Sequence, residues 1–285
     1  MLASAPRARA QAPLAAPTAD AATTVVRRTD PRRSVAAGRV ERHVLRSAVY
    51  GRERRVFVYT PPGYQPFAHR PYALVVAFDA DVYLDTIPLP LVLDTLYAAG
   101  RLPPFVALLV ADSSGAARLD DLANHARFAE FLGNELIPWL RRGWNVTSDP
   151  ARTIVTGSSA GGLAAANVAL ARPDLFGNVW SQSGALWRGN EGSNGPPYEW
   201  LTDRYREAPR HPIRFALDVG ALETRGTVGG TGPSILEANR RFRDALVAKG
   251  YDVTYTEVPG GQHWEGTWAP RLPVGLVALA GGWPR

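Results

Sequence analysis

The sequence predicts an α/β protein built on a mostly parallel sheet, with helices on both faces, and three observations carry that reading. From Arg39 onward, short apolar runs of strand length alternate with Ala- and Leu-rich amphipathic stretches. Several of the runs end in Asp or Gly, at the strand ends where open α/β sheets place their ligand sites. Prolines at 150, 173, 212 and 259 punctuate the boundaries, and neither a repeat nor a linker divides the region. One large domain, residues 39–285, is the expectation.

The elements follow in order. "RHVLRSAVY" and "RRVFVYTP" flank the turn-like "GRE" and read as an antiparallel hairpin. "YALVVAFD", "FVALLVAD", "RTIVTG", "NVWSQSG", "IRFALDVG" and "VTYTEVPG" supply the remaining strands. Between them the periodicity predicts helices over Leu89–Ala99, Asp121–Arg142, Ala160–Ala171, Ser234–Lys249 and Trp264–Leu279.

Composition excludes several functions. The chain has no cysteine, so disulfides, thiolate metal sites and a cysteine nucleophile are ruled out. The longest apolar runs are strand-sized, so no membrane span is expected. The net charge is +6, but residues 1–38 hold six arginines against Asp20 and Asp30, which leaves only +2 for the rest. With no basic stripe interleaved with aromatics, nucleic acid is not an expected partner. Residues 1–38, rich in Ala, Pro and Arg, have two readings: a disordered tail, or the clipped end of an export signal, which favours export over the cytoplasm.

The chemistry centres on "TIVTGSSAGGLAAANVALARPDLFG". Gly157-Ser158-Ser159-Ala160-Gly161 is a G-x-S-x-G match, and that pattern alone is short enough to arise by chance. Here it follows an apolar strand and opens a helix, the strand-turn-helix context of a nucleophile elbow. Small neighbours at 157, 161 and 162 suit the strained turn, and the Ala160 amide would lie at a helix N-terminus, able to hold an oxyanion. Ser158 is out of frame. A serine hydroxyl needs a base. Of the five histidines, His263 lies last, just past the final strand in "VPGGQHWEG", the place of the histidine in the order nucleophile, acid, histidine. His43, His69 and His211 suit structural roles better. The acid belongs after the penultimate strand, where Asp218 and Glu223 both qualify and spacing does not choose. The Gly-rich Arg225 to Gly232 lacks the Gly-Lys-Ser/Thr end of a phosphate loop and reads as a flexible loop by the active site.

The run "GSSAGGLAAANVALARPDLFGNVWSQSGALW" resembles the enterochelin (ferric siderophore) esterase branch of the esterase D family, within the α/β-hydrolases. "RRVFVYTPPGY", "LVVAFDAD", "RLPPFVALLVAD", "DDLANHARFAEFLGNELIPWL" and "GGQHWEGTW" are similar to successive family segments, so the resemblance covers about residues 39–283. It implies Ser159 as nucleophile, His263 as base and Glu223 as acid, with the Ala160 and Asp81 amides as oxyanion donors. It also implies a polar cluster of Arg118, Asp121 and Asn124 at the acyl-binding mouth, with His125 beside it. Trp187 and Arg188 stand where the family has tandem tryptophans, Ala80 replaces a glycine, and Arg225 to Gly232 looks inserted. The short chain is similar to exported members.

The resulting expectation is a serine esterase acting through an acyl-enzyme on a small-molecule ester, a siderophore trilactone first, with Arg118, Asn124, Trp187 and Arg188 as substrate contacts. No metal or organic cofactor is implied. Alternatives are a feruloyl-carbohydrate or short-chain acyl esterase and a mycolyl-type acyltransferase. A non-catalytic binding protein on the same fold is the competing class, set against all three catalytic residue types standing in order.

Overall fold

The computed structural model describes residues 24–26, 35–111, 116–123, 125–190 and 193–284. Its sheet begins antiparallel. The strands β1 (Thr24–Val26), β2 (Arg39–Ser47) and β3 (Arg52–Thr60) pair in sequence, and Gly51 takes the left-handed conformation, φ 65°, at the β2–β3 turn. Part of the stretch expected to be a tail, Thr24–Val26, thus joins the sheet as its outer strand. The rest of residues 1–34 lies outside the described residues.

The remaining strands are β4 (Ala73–Phe78), β5 (Phe105–Val110), β6 (Thr153–Ser158), β7 (Asn178–Gln182), β8 (Arg214–Gly220) and β9 (Asp252–Val258). They run parallel in the order β5-β4-β6-β7-β8-β9, and β5 joins β3 antiparallel. All eight predicted strands from Arg39 onward form.

Why these runs are unbroken apolar follows from the layering. In β4, Leu74, Val76 and Phe78 belong to one core cluster while Ala73, Val75 and Ala77 belong to the other, and β5 divides likewise. A strand buried on both faces has no polar side to present. One face is covered by α1 (Leu89–Ala98) and α9 (Leu272–Ala280). The other is covered by α3 (Ala126–Glu130), α4 (Ile137–Gly143), α5 (Ala160–Ala171), α6 (Trp200–Glu207) and α7 (Ile235–Ala248). The shorter α2 (Ala116–Leu122) and α8 (Glu265–Trp268) lie at the strand ends.

Two predicted helices are interrupted. The stretch expected as one helix over Asp121–Arg142 starts earlier, in α2, breaks at the extended His125, and widens into a π-helical turn at Phe131–Leu136 before α4. Pro138 explains the wide turn, because it has no N–H to return to the carbonyl four residues back. Pro270 and Pro273 likewise split Trp264–Leu279 into α8, a 3₁₀ turn and α9. Helix α6 had not been expected from the sequence.

The chain leaves β4 for β5 on one side and then crosses to β6 on the other. Strand order therefore reverses between β4 and β6, and a crevice opens at their carboxyl ends. Asp79–Asp81 follow β4 and Ser159 follows β6.

Candidate active site

Ser159 sits between β6 and α5 at φ 56° and ψ −119°, a backbone conformation that costs an L-residue about 1–3 kcal/mol. The turn is held by neighbours. Ser159 donates its N–H to the Gln182 carbonyl at 2.9 Å, and its own carbonyl accepts from Ala185 N–H at 2.8 Å. Only glycine fits at 157 and 162: a Cβ at Gly157 would meet the Gly161 backbone at 2.4 Å, and one at Gly162 would meet Ser181 Oγ at 2.5 Å.

His263 Nε2 lies 2.9 Å from Ser159 Oγ, and its Nδ1 lies 2.6 Å from Glu223 Oε2. The loops that carry the two are stitched together: Ala221 N–H donates to the Val258 carbonyl and Leu222 N–H to the Gly261 carbonyl, both at 3.0 Å. Of the two candidate acids, only Glu223 lies against His263. Asp218, equally buried, is turned to Arg271, which donates from Nη2 at 3.0 Å and from Nε at 3.3 Å.

One member of the site was not anticipated. Ser183, fully buried at φ 46°, has its hydroxyl 2.6 Å from Glu223 Oε1, and that oxygen also accepts from Gly220 N–H at 2.8 Å. Trp268 Nε1 donates to Ser183 Oγ at 2.9 Å. An indole N–H can only donate, so the serine proton must point to the carboxylate. The carboxylate in turn requires a proton on His263 Nδ1, which leaves Nε2 bare as the acceptor for Ser159. The tautomer is fixed by the direction of the chain. The serine of "SQSG" at a strand end was the available signal, read only as part of the family pattern.

The Asp81 and Ala160 amides lie just past the carboxyl ends of β4 and β6. The two segments touch: a Cβ at Gly161 would lie 3.0 Å from Asp79 Oδ2 and 3.7 Å from Phe78 Cβ. Asp79 is itself left-handed, φ 61°, and is clamped by Arg118 through a close Nε contact and an Nη2 bond of 2.6 Å. Arg118 is thus committed to the loop that carries Asp81.

The expected polar mouth comes apart in the structure. Asp121 does not face it. Arg54 takes both Asp121 oxygens, at 3.0 and 2.6 Å, in a buried pair roofed by Tyr50 and Phe131. Asn124 lies outside the described residues, and His125 precedes α3 in extended conformation. Trp187 is 8% exposed and packs into the core, which leaves little of its ring for a substrate. Arg188 stacks on it at 4.8 Å, and burial first, then the Arg118 charge, hold the Arg188 pKa below its usual value. The other histidines are elsewhere; His43 is wedged between Trp139 and Trp144. Among the described residues no group of acids and histidines could hold a metal, and no helix is long and apolar enough to cross a membrane.

A switched parallel sheet with a strained serine after β6 and a histidine after β9 defines an α/β-hydrolase. Comparison with known proteins places the chain within that class: residues 47–279 match the family described as "Putative esterase", and the chain belongs to that esterase family. It is 33% identical over 231 residues to the iron(III) enterobactin esterase of Dickeya dadantii, covering 75% of this chain and 49% of that relative. The enterobactin esterase of Shigella flexneri, crystallised in the presence of enterobactin, superimposes with a TM-score of 0.72 at 25% identity, over 84% of this chain and 58% of that one. A ferulic acid esterase shares the fold at a TM-score of 0.70 and 16% identity, over 86% of this chain and 98% of that one. The chain spans about half the length of the curated relatives it matches.

Proposed function

We propose that the chain is a serine esterase working through an acyl-enzyme. The observation that carries the reading is the continuous contact from Glu223 through His263 to a strained Ser159, at 2.6 and 2.9 Å. In the first step His263 Nε2 takes the Ser159 proton as Oγ attacks the ester carbonyl. The Ala160 and Asp81 amides hold the resulting oxyanion, and Glu223 stabilises the imidazolium. His263 then gives its proton to the leaving oxygen, and water, activated by the same base, cleaves the acyl-enzyme.

For substrate we take a siderophore trilactone first, supported by the names of the relatives. Arg188, carried on Trp187, is the contact for an anionic iron chelate. Arg118 acts indirectly, by holding the loop of Asp81. The test measures hydrolysis of ferric enterobactin, methyl ferulate and p-nitrophenyl butyrate by wild type and Ser159→Ala. Loss of all activity in Ser159→Ala is expected, with the trilactone the fastest substrate. Activity that survives the substitution sinks the mechanism, and a trilactone slower than the other two sinks the siderophore assignment.

A further inference from the structure

An open cleft of about 510 Å³ adjoins the acid and base, lined by Leu222, Glu223, Arg225, Ile235, Gln262 and His263. It lies on the histidine side of the site. In ester cleavage that side receives the departing alcohol, because His263 Nε2 must reach the leaving oxygen to protonate it. Two lining residues are apolar, Leu222 and Ile235, and Leu222 is 57% exposed. The one arginine in the lining is Arg225, exposed and without an ion pair to any described residue. Glu223 makes no ion pair with it; the Glu223 oxygens face Ser183, Gly220 and His263 instead.

The backbone that follows Arg225 is held in place. Gly226 bridges Ser234, Thr227 N–H and Oγ1 both donate to the Pro233 carbonyl, and Gly232 N–H returns to the Thr227 carbonyl. The loop expected to be flexible is closed at its base by these bonds, directly after Arg225. Ser234 then caps α7 with a reciprocal bond to Glu237, which fixes the start of the helix that carries Ile235.

We infer that this cleft is a leaving-group subsite for alcohols bearing an anionic group, and that Arg225 selects for them. The inference rests on the esterase reading above. In the step concerned the ester C–O bond breaks while His263 Nε2–H passes the proton taken from Ser159 to the leaving oxygen. The alcohol departs with that oxygen neutral and its remote carboxylate still ionised against Arg225, its hydrocarbon part having lain on Leu222 and Ile235.

Two esters that differ only in that charge test it: 4-carboxyphenyl butyrate and its neutral near-isostere 4-carbamoylphenyl butyrate. The ratio of their kcat/KM values cancels intrinsic reactivity when variants are compared. The carboxylate-to-amide ratio is expected to fall about tenfold in Arg225→Gln, the size of a charge-assisted contact, and further in Arg225→Glu. If Arg225→Glu does not fold, as judged by circular dichroism, salt gives the second measurement: added NaCl should lower the ratio in wild type but not in Arg225→Gln. A ratio that is the same in all the proteins and indifferent to salt overturns the subsite. Failure of wild type to hydrolyse either ester overturns the esterase reading instead, and the subsite with it.

Discussion

Arg54–Asp121 and His263–Glu223 are both ion-pairing contacts set into the protein against aromatic rings, yet they end differently. Arg54 and Asp121 have side chains 1% and 0% exposed, and the guanidinium lies against the Tyr50 and Phe131 rings. Glu223 is as deeply buried, at 2%, but its partner His263 is 34% exposed and touches Ser159. One pair is closed at both ends. The other is closed behind the acid, by Ser183 and Trp268, and open in front of the base. Burial of charge therefore does not mark a reactive site; a buried charge whose last atom reaches solvent does. Replacing the acid of the open pair should cost rate, and replacing the acid of the closed pair should cost stability.

The largest effect expected is on rate. Glu223→Gln should lower kcat by up to about ten-thousand-fold, as when a triad acid is neutralised and the histidine tautomer is lost. Asp218→Asn should cost far less, and steady-state kinetics on p-nitrophenyl butyrate compares the two. A larger loss at Asp218 would contradict the geometry. Next comes Asp121→Ala, which strands the Arg54 guanidinium without its partner. A stability loss of about 3 to 5 kcal/mol is expected in denaturant unfolding. No shift of the midpoint would mean that the closed pair is ornamental.

Ser183 refines the comparison by asking whether the closed back of the open pair matters. Ser183→Ala should reduce kcat about tenfold with little change in KM, the scale of one hydrogen bond to a charged group. Combined with Glu223→Gln it should add almost nothing, because Ser183 acts through that carboxylate; additive losses would assign it a role elsewhere. The smallest effect concerns His43. Burial first, opposed by Glu41, lowers its pKa from 6.5, so the folded protein resists protonating it. The unfolded chain binds that proton more readily, and stability is lost as pH falls from about 6.5 towards the lowered value. His43→Gln should flatten that slope in thermal melts at pH 7 and pH 5.5.

How far the sequence reached depended on whether the deciding contact was local. The strands, the elbow at Ser159 and the late His263 were legible because period, glycine spacing and chain order are written in neighbouring residues. The choice between Asp218 and Glu223 was not, since Arg271, 53 residues further on, claims the first. Asp121 misled for the same reason: its partner lies 67 residues earlier, on strand β3. The π-helical turn in the predicted long helix, by contrast, could have been read from Pro138.

The short segment Gln182–Ala185 has one more consequence. It receives the Ser159 amide at Gln182, donates from Ala185 to the Ser159 carbonyl, and grips Glu223 through the Ser183 hydroxyl. Ser159 and Glu223 are thus referenced to the same four residues, although they belong to loops 64 positions apart in the chain. The spacing between the two is tied to a single segment of the sheet, and His263 spans it with contacts of 2.6 and 2.9 Å.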